Sequence, residues 1–128
     1  METYGLDRMR FWAGTIGGVL LVALGAMHSL LGWPALRASF ARTSAPAPLV
    51  QGLAVPWHLA GMSMVMAGVL AIVGCVRGAR GRDTSRWPLL VVGGAYAVFG
   101  LAGLVLVGVD ATFAMFVVPG VLLLYAGT

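Results

Sequence analysis

Two histidines are the side chains of this sequence best suited to chemistry at neutral pH. His28 lies at the end of the first long apolar stretch, and His58 lies at the beginning of the second. Because consecutive helices of a bundle run in opposite directions, both histidines are expected at the same end of the molecule. Neutral imidazole binds metals and haem and transfers protons near pH 7, so the pair is a candidate ligand site.

Methionines close to the histidines add soft sulfur to this candidate site. Met62 follows His58 by four residues, about one helical turn, and Met27 directly precedes His28. Thioether and imidazole groups suit copper(I), or a haem with histidine and methionine ligands. The spacing makes His28, His58 and Met62 candidate metal ligands, with haem or copper as candidate cofactors and the cofactor itself unknown.

Aromatic and polar residues near the histidines suggest a second kind of ligand. Trp33 and Trp57 could form the walls of a site for a quinone or another lipophilic small molecule. Asp110 lies in the turn between the third and fourth apolar stretches, and Arg37 and Gln51 lie between the first two. The topology brings all of them to the end of the molecule that carries the histidines. Ordinary interfacial anchoring by the tryptophans, with histidines that only fasten helices together, is the structural alternative.

The elements that must position these residues are transmembrane helices. Of the 128 residues, 60% are apolar and only 9% are charged, which is far from the balance of a soluble domain. A helix needs about 20 apolar residues to cross the bilayer core of about 30 Å. The sequence predicts one domain, an all-α integral membrane four-helix bundle, with helices at 11–31, 56–76, 88–107 and 111–126.

Prolines and arginines delimit these helices. Pro34 is expected to end the first helix, and the connection 34–55 is expected to be partly irregular. Pro56 is expected to open the second helix, since its missing N–H is not needed in a first turn. An arginine-rich loop, 77–87, connects the second helix to the third. Pro119, within the fourth and shortest helix, predicts a kink.

The arginine distribution predicts the orientation, because basic residues in short loops stay on the cytoplasmic side. One side carries Arg8, Arg10 and the four arginines of the 77–87 loop, and the other carries only Arg37 and Arg42. Both termini are therefore expected inside the cell, with the histidines outside. The absence of lysine and the abundance of Ala, Gly and Val are typical of a bacterial protein, so the predicted location is the bacterial plasma membrane.

Small residues recur on the faces expected to pack. Gly14, Gly18 and Gly25 share one face of the first helix, and the residues Gly61, Gly68 and Cys75 share one face of the second. Such faces let helices approach closely in lipid, where no hydrophobic force drives them together. His28 and His58 lie on these faces and are expected to point into the bundle. The same glycines could also support a homo-oligomer or a larger membrane complex.

Several function classes are weakened by what the sequence lacks. Its eight basic residues lie between apolar stretches and offer no soluble surface for nucleic acid. No nucleophile, base and orienting residue occur at a recognisable spacing, so an enzyme is not expected. The leading hypothesis is a membrane protein that binds a metal, haem or lipophilic molecule at the histidine pair. A non-catalytic subunit or scaffold, and a passive pore or transporter formed by an oligomer, stay open as alternatives.

Overall fold

The computed structural model describes residues 3–81, 85–108 and 111–128, and its regular elements are all helices there. A π-helical segment, His28–Gly32, connects the first two α-helices, so that α1 and α2 form one continuous rod. The α-helical segments are α1 (Thr3–Met27), α2 (Trp33–Arg42), α3 (Ala47–Ala79), α4 (Trp87–Leu106) and α5 (Ala111–Gly127).

The helical rod does not end at Pro34, and this expectation was wrong. Proline normally disrupts a helix because it has no N–H and its ring collides with the carbonyl four residues earlier. Here the π-helical segment ends at Gly32, two residues before Pro34, and widens the turn in which that collision would occur. Gly32 has φ −66° and ψ −42°, so the backbone remains helical as the rod passes into α2.

The expected irregular connection 34–55 is almost entirely helical. Helix α2 ends at Arg42, and α3 begins at Ala47 instead of Pro56, which lies inside it. The turn between them contains Ser44 at a positive φ of 53° and Pro46 in an extended conformation. At the other end α3 continues to Ala79, so the expected loop 77–87 begins three residues later than predicted.

The helices alternate in direction and form a bundle with one loose side. Helix α1 packs against both α3 and α5, and α4 packs mainly against α5, whereas α3 and α4 touch only slightly. Leu21 of α1 and Leu123 of α5 are fully buried where these layers meet, with Ala71 of α3 and Leu89 of α4 close by. The predicted four-helix bundle is therefore confirmed.

The predicted small-residue faces of α1 and α3 are confirmed as the contact between these two helices. A Cβ on Gly18 would meet the carbonyl oxygen of Gly68 at 2.8 Å, and a Cβ on Gly25 would lie 2.9 Å from Met64. Gly14 faces Cys75 in the same way, and Gly25 faces Gly61. The backbones approach so closely that a larger side chain at these positions would force the helices apart.

A second close crossing joins α4 to α5. A Cβ on Gly93 would lie 2.8 Å from the carbonyl oxygen of Gly120, and a Cβ on Gly120 would lie 2.5 Å from the backbone nitrogen of Ala97. Helix α5 continues through Pro119, which is itself fully buried. The helices of this pair therefore also meet backbone to backbone.

Three helices are long and apolar enough to cross a membrane: 8–42, Ala47–Ala79 and Trp87–Leu106. The fourth, α5, has 17 residues and spans about 25 Å, so it is shorter than the other three. The long rod and α3 extend well beyond the ends of α4 and α5 on the side of the α2–α3 turn. We call this side, formed by 28–58, the far end of the bundle.

Candidate functional site

Four aromatic rings at the far end form a continuous series, which we call the ring cluster: His28, Trp57, Trp33 and His58. The His28 and Trp57 rings are stacked, with centroids 4.1 Å apart and planes 11° apart. The Trp33 ring lies 6.3 Å from Trp57 and 5.7 Å from His58, tilted against both. The structure thus brings together all four aromatic residues that the sequence placed at this site.

The π-helical segment helps to position Trp57. Its indole Nε1 donates a hydrogen bond of 2.8 Å to the carbonyl oxygen of His28, the first residue of that segment. Gly32 lies beside the indole, where an added Cβ would come within 3.1 Å of the ring. Trp57 is therefore held by stacking, by a hydrogen bond and by the absence of a side chain at Gly32.

The two histidines differ in their surroundings. His28 is partly buried, and its Nε2 atom is buried without a hydrogen-bond partner among the described residues. His58 is exposed, so the expectation that it points into the bundle was wrong. The reason is that Gly61 faces α1, whereas the ring of His58, three residues earlier, packs against the ring of Trp33 at the surface of the bundle.

A groove lies between α2 and the first turns of α3, next to the ring cluster. Its volume is about 430 Å³, and Trp33 contributes to both the groove and the ring cluster. We call it the far-end groove. Its walls are mostly apolar and include one cationic and one amide side chain; the lining residues are Trp33, Arg37, Phe40, Ala41, Ala45, Ala47, Val50, Gln51 and Ala54.

The polar side chains of the groove are available to a ligand. Arg37 and Gln51 are both exposed, and neither forms a hydrogen bond or an ion pair with any residue that the structure describes. Between Trp33 and His58 the chain has two arginines and neither aspartate nor glutamate. The groove therefore offers apolar surface together with an uncompensated positive charge.

Comparisons with protein-family models, with curated proteins and with solved structures found no match to this chain. The far-end site must be interpreted from its own chemistry.

The metal assignment to His28, His58 and Met62 stays a prediction. The Trp57 and Trp33 rings lie between the two imidazoles in the ring series, and the Met62 side chain is 55% exposed. Within 3–81, 85–108 and 111–128, no three His, Cys, Asp or Glu side chains are grouped in a way that could hold a metal ion. Asp110, the remaining predicted ligand, lies outside the described residues.

Sequence reasoning missed the groove although it singled out two of its polar residues. Arg37 and Gln51 were grouped with the histidines by topology alone, but Phe40 and Val50 carry no local signal of a binding site. A cavity between two helices depends on how far those helices separate, which neither segment reveals by itself. The only pointer was the pair of prolines, Pro46 and Pro48, which favours a tight reversal and hence two adjacent helices.

Proposed function

We propose that this chain is an integral membrane protein that binds a lipid-like amphipathic molecule in the far-end groove. The observation that carries the proposal is the groove itself, with apolar walls, one arginine and one glutamine. Small-molecule sites generally combine a mostly apolar lining with a few polar groups, in volumes of about 300–1,000 Å³. A ligand with an apolar body and one polar group matches this lining.

The ring cluster supports one wall of the groove. Trp33 lies between the groove and the rings of Trp57 and His58. Trp57 is in turn held by the stack on His28 and by its hydrogen bond to the backbone. In this proposal the two histidines act as positioning residues. Their rings maintain the orientation of the Trp33 indole, which lines the groove and contacts the ligand.

The far end lies at one surface of the membrane. From Trp12 to Trp33 the helical rod rises about 30 Å, which matches the thickness of a bilayer core. Tryptophans favour both interfaces of the bilayer, so Trp33 marks the level at which the groove begins. The arginine distribution favours an orientation with this end outside, and in this proposal the membrane is the plasma membrane of a bacterium and the ligand enters from the outer leaflet.

The test is to fill the groove and measure binding. Ala41 lines the groove, whereas Ala38, on the same helix, is exposed and does not line it. We expect Ala41→Phe to weaken the binding of a dansyl-labelled lysophospholipid about tenfold or more, equivalent to about 1.4 kcal/mol. Ala38→Phe should bind as the wild type does. Energy transfer from tryptophan to dansyl, with the protein in nanodiscs, measures both.

Three results would contradict the proposal. Equal binding by both variants and the wild type would place the lipid elsewhere on the helices. No saturable binding by the wild type would favour the alternative in which this protein is a scaffold whose histidines only fasten α1 to α3. Equal loss of binding in both variants, with the helix content unchanged by circular dichroism, would mean that the effect does not come from the groove.

A further inference from the structure

We propose that the far-end groove selects an anionic phospholipid, and that Arg37 binds the phosphate of its headgroup. This inference rests on the proposed function and deepens it by assigning the class of lipid. It is argued from the charge of the groove, from the depth of Arg37 in the membrane and from the chemistry of the guanidinium group.

The charge of the far end favours an anionic headgroup. Arg37 lines the groove, Arg42 lies five residues further along α2, and the chain from Trp33 to His58 contains no acidic residue. Arg37 also has no ion-pair partner among the residues of the described ranges. A zwitterionic headgroup would bring its own cation close to these arginines with no net negative charge, whereas an anionic headgroup such as phosphoglycerol would bring a net negative charge and no cation.

The depth of Arg37 matches the layer in which lipid phosphates lie. Arg37 is four residues, or about 6 Å, beyond Trp33 along a continuous helix. The headgroup layer adds about 5–7 Å to each side of the hydrocarbon core. With Trp33 at the boundary of the core, the guanidinium lies at the level of the phosphates of the surrounding lipids.

The chemistry of arginine explains why phosphate is the preferred anion. The planar guanidinium donates two parallel hydrogen bonds to a phosphate, and it is always charged. Gln51, on the α3 side of the same groove, adds an amide that can donate to an ester or phosphate oxygen. The apolar lining, with Trp33 and Phe40, is left for the glycerol and acyl portion.

The experiment compares two lysophospholipids that carry the same dansyl-labelled acyl chain. One has a glycerol headgroup and a net negative charge, and the other has a zwitterionic choline headgroup. We expect wild-type protein in nanodiscs of zwitterionic lipid to bind the anionic probe at least about fivefold more tightly than the zwitterionic probe. Arg37→Gln should abolish this preference, and Arg37→Lys should restore part of it, because lysine keeps the charge without the two parallel hydrogen bonds.

Arg42→Gln is the matched control, since it removes the same charge from the same helix without altering the groove lining. This variant should keep the preference. If Arg42→Gln and Arg37→Gln reduce it equally, the attraction is a general surface effect and the assignment of Arg37 is overturned. Inorganic phosphate is a second control, and its displacement of the probe at similar concentrations would identify a free-phosphate site instead.

The failure of this inference is distinguishable from the failure of the proposed function. If wild-type protein binds both probes equally, and Ala41→Phe abolishes the binding of both, the groove binds lipids without selecting charge. The function then stands and the inference falls. If neither probe binds saturably, the groove does not bind lipid, and both proposals are overturned.

Discussion

The two helix pairs of this bundle, α1 with α3 and α4 with α5, are joined by the same device but differ in length. Gly18 and Gly68 bring the backbones of the first pair together, and Gly93 and Gly120 do so in the second. Helices α4 and α5 end near the limits of a bilayer core, with 20 and 17 residues. Helix α3 has 33 residues and extends, with the rod formed by α1 and α2, beyond them.

That difference separates the close helix crossings from the far-end groove. At the glycine crossings the helix backbones are in contact, so no room is left between them for a ligand. These crossings lie in the part of the bundle where the two helix pairs run side by side. The long pair opens beyond this part, where the aromatic residues Trp33 and Phe40 line the groove together with small alanines. In the proposed function, the short pair supports the long one, and the extension of the long pair carries the proposed binding site.

The orientation of the two pairs in the membrane can be tested by cysteine labelling. The expected effect is the largest of these predictions, because a cysteine on a given side either reacts with the reagent or does not. Cys75 is the only cysteine, and Cys75→Ala keeps the Cβ that packs against Gly14. In this background we expect Thr43→Cys, in the turn of the long pair, to react with a membrane-impermeant maleimide on intact cells. Ser85→Cys, in the connection between the pairs, should react only after the cells are opened. Both positions are exposed, so accessibility depends on the side of the membrane.

The reverse labelling pattern would place both termini outside and would put the groove in the cytoplasmic leaflet. Labelling of both cysteines on intact cells would indicate a mixture of orientations. Either result would leave the two helix pairs as they are and move the proposed ligand to another leaflet.

Replacing a crossing glycine should give the largest loss of stability. A Cβ on Gly68 would lie 2.8 Å from the Val22 side chain and 2.9 Å from its backbone nitrogen. We expect Gly68→Leu to cost about 3 kcal/mol or more, because α1 and α3 would have to separate. The matched control is Gly74→Leu, on the same helix, where an added Cβ has no neighbour within 4 Å.

Thermal unfolding in mild detergent, followed by circular dichroism and by size-exclusion chromatography, compares the two glycine variants. Gly74→Leu should unfold at nearly the wild-type temperature. Equal tolerance of leucine at both positions would show that the α1–α3 crossing does not hold the long pair together, and the comparison between the pairs would then fail.

Removing the indole hydrogen bond of Trp57 should have a smaller effect. Trp57→Phe keeps an aromatic ring beside His28 but loses the donor to the His28 carbonyl oxygen. We expect a loss of about 1–2 kcal/mol, since a partly buried acceptor is left without its partner. Trp87→Phe is the control, because Trp87 is 68% exposed. An equal shift in unfolding temperature for both variants would argue that Trp57 serves only as an interfacial anchor.

Much of the fold could be predicted because it depends on local properties of the sequence. The apolar stretches are long enough to span a bilayer, and the glycines recur at the helical period, so both the helices and their contact faces followed from composition and spacing. The interpretation of Pro34 and Pro56 as helix limits was wrong. A proline disfavours a helix interior, but at Pro34 a neighbouring π-helical turn can relieve the collision, and no residue type in the sequence predicts that turn. Pro56 lies inside α3 without such a turn, and nothing in the sequence signals that the helix continues through it.

The sequence by itself determined that this protein is a helical bundle with spans fit for a membrane, and that His28, Trp33, Trp57 and His58 meet at one end. These four residues lie near the end of one predicted helix and near the start of the next, and consecutive helices run in opposite directions, so they must lie at the same end. Only the tertiary structure decided the order of the rings, the exposure of His58 and the existence of the groove. These depend on the distance and rotation between α2 and α3, and those are set by packing among segments far apart in the chain.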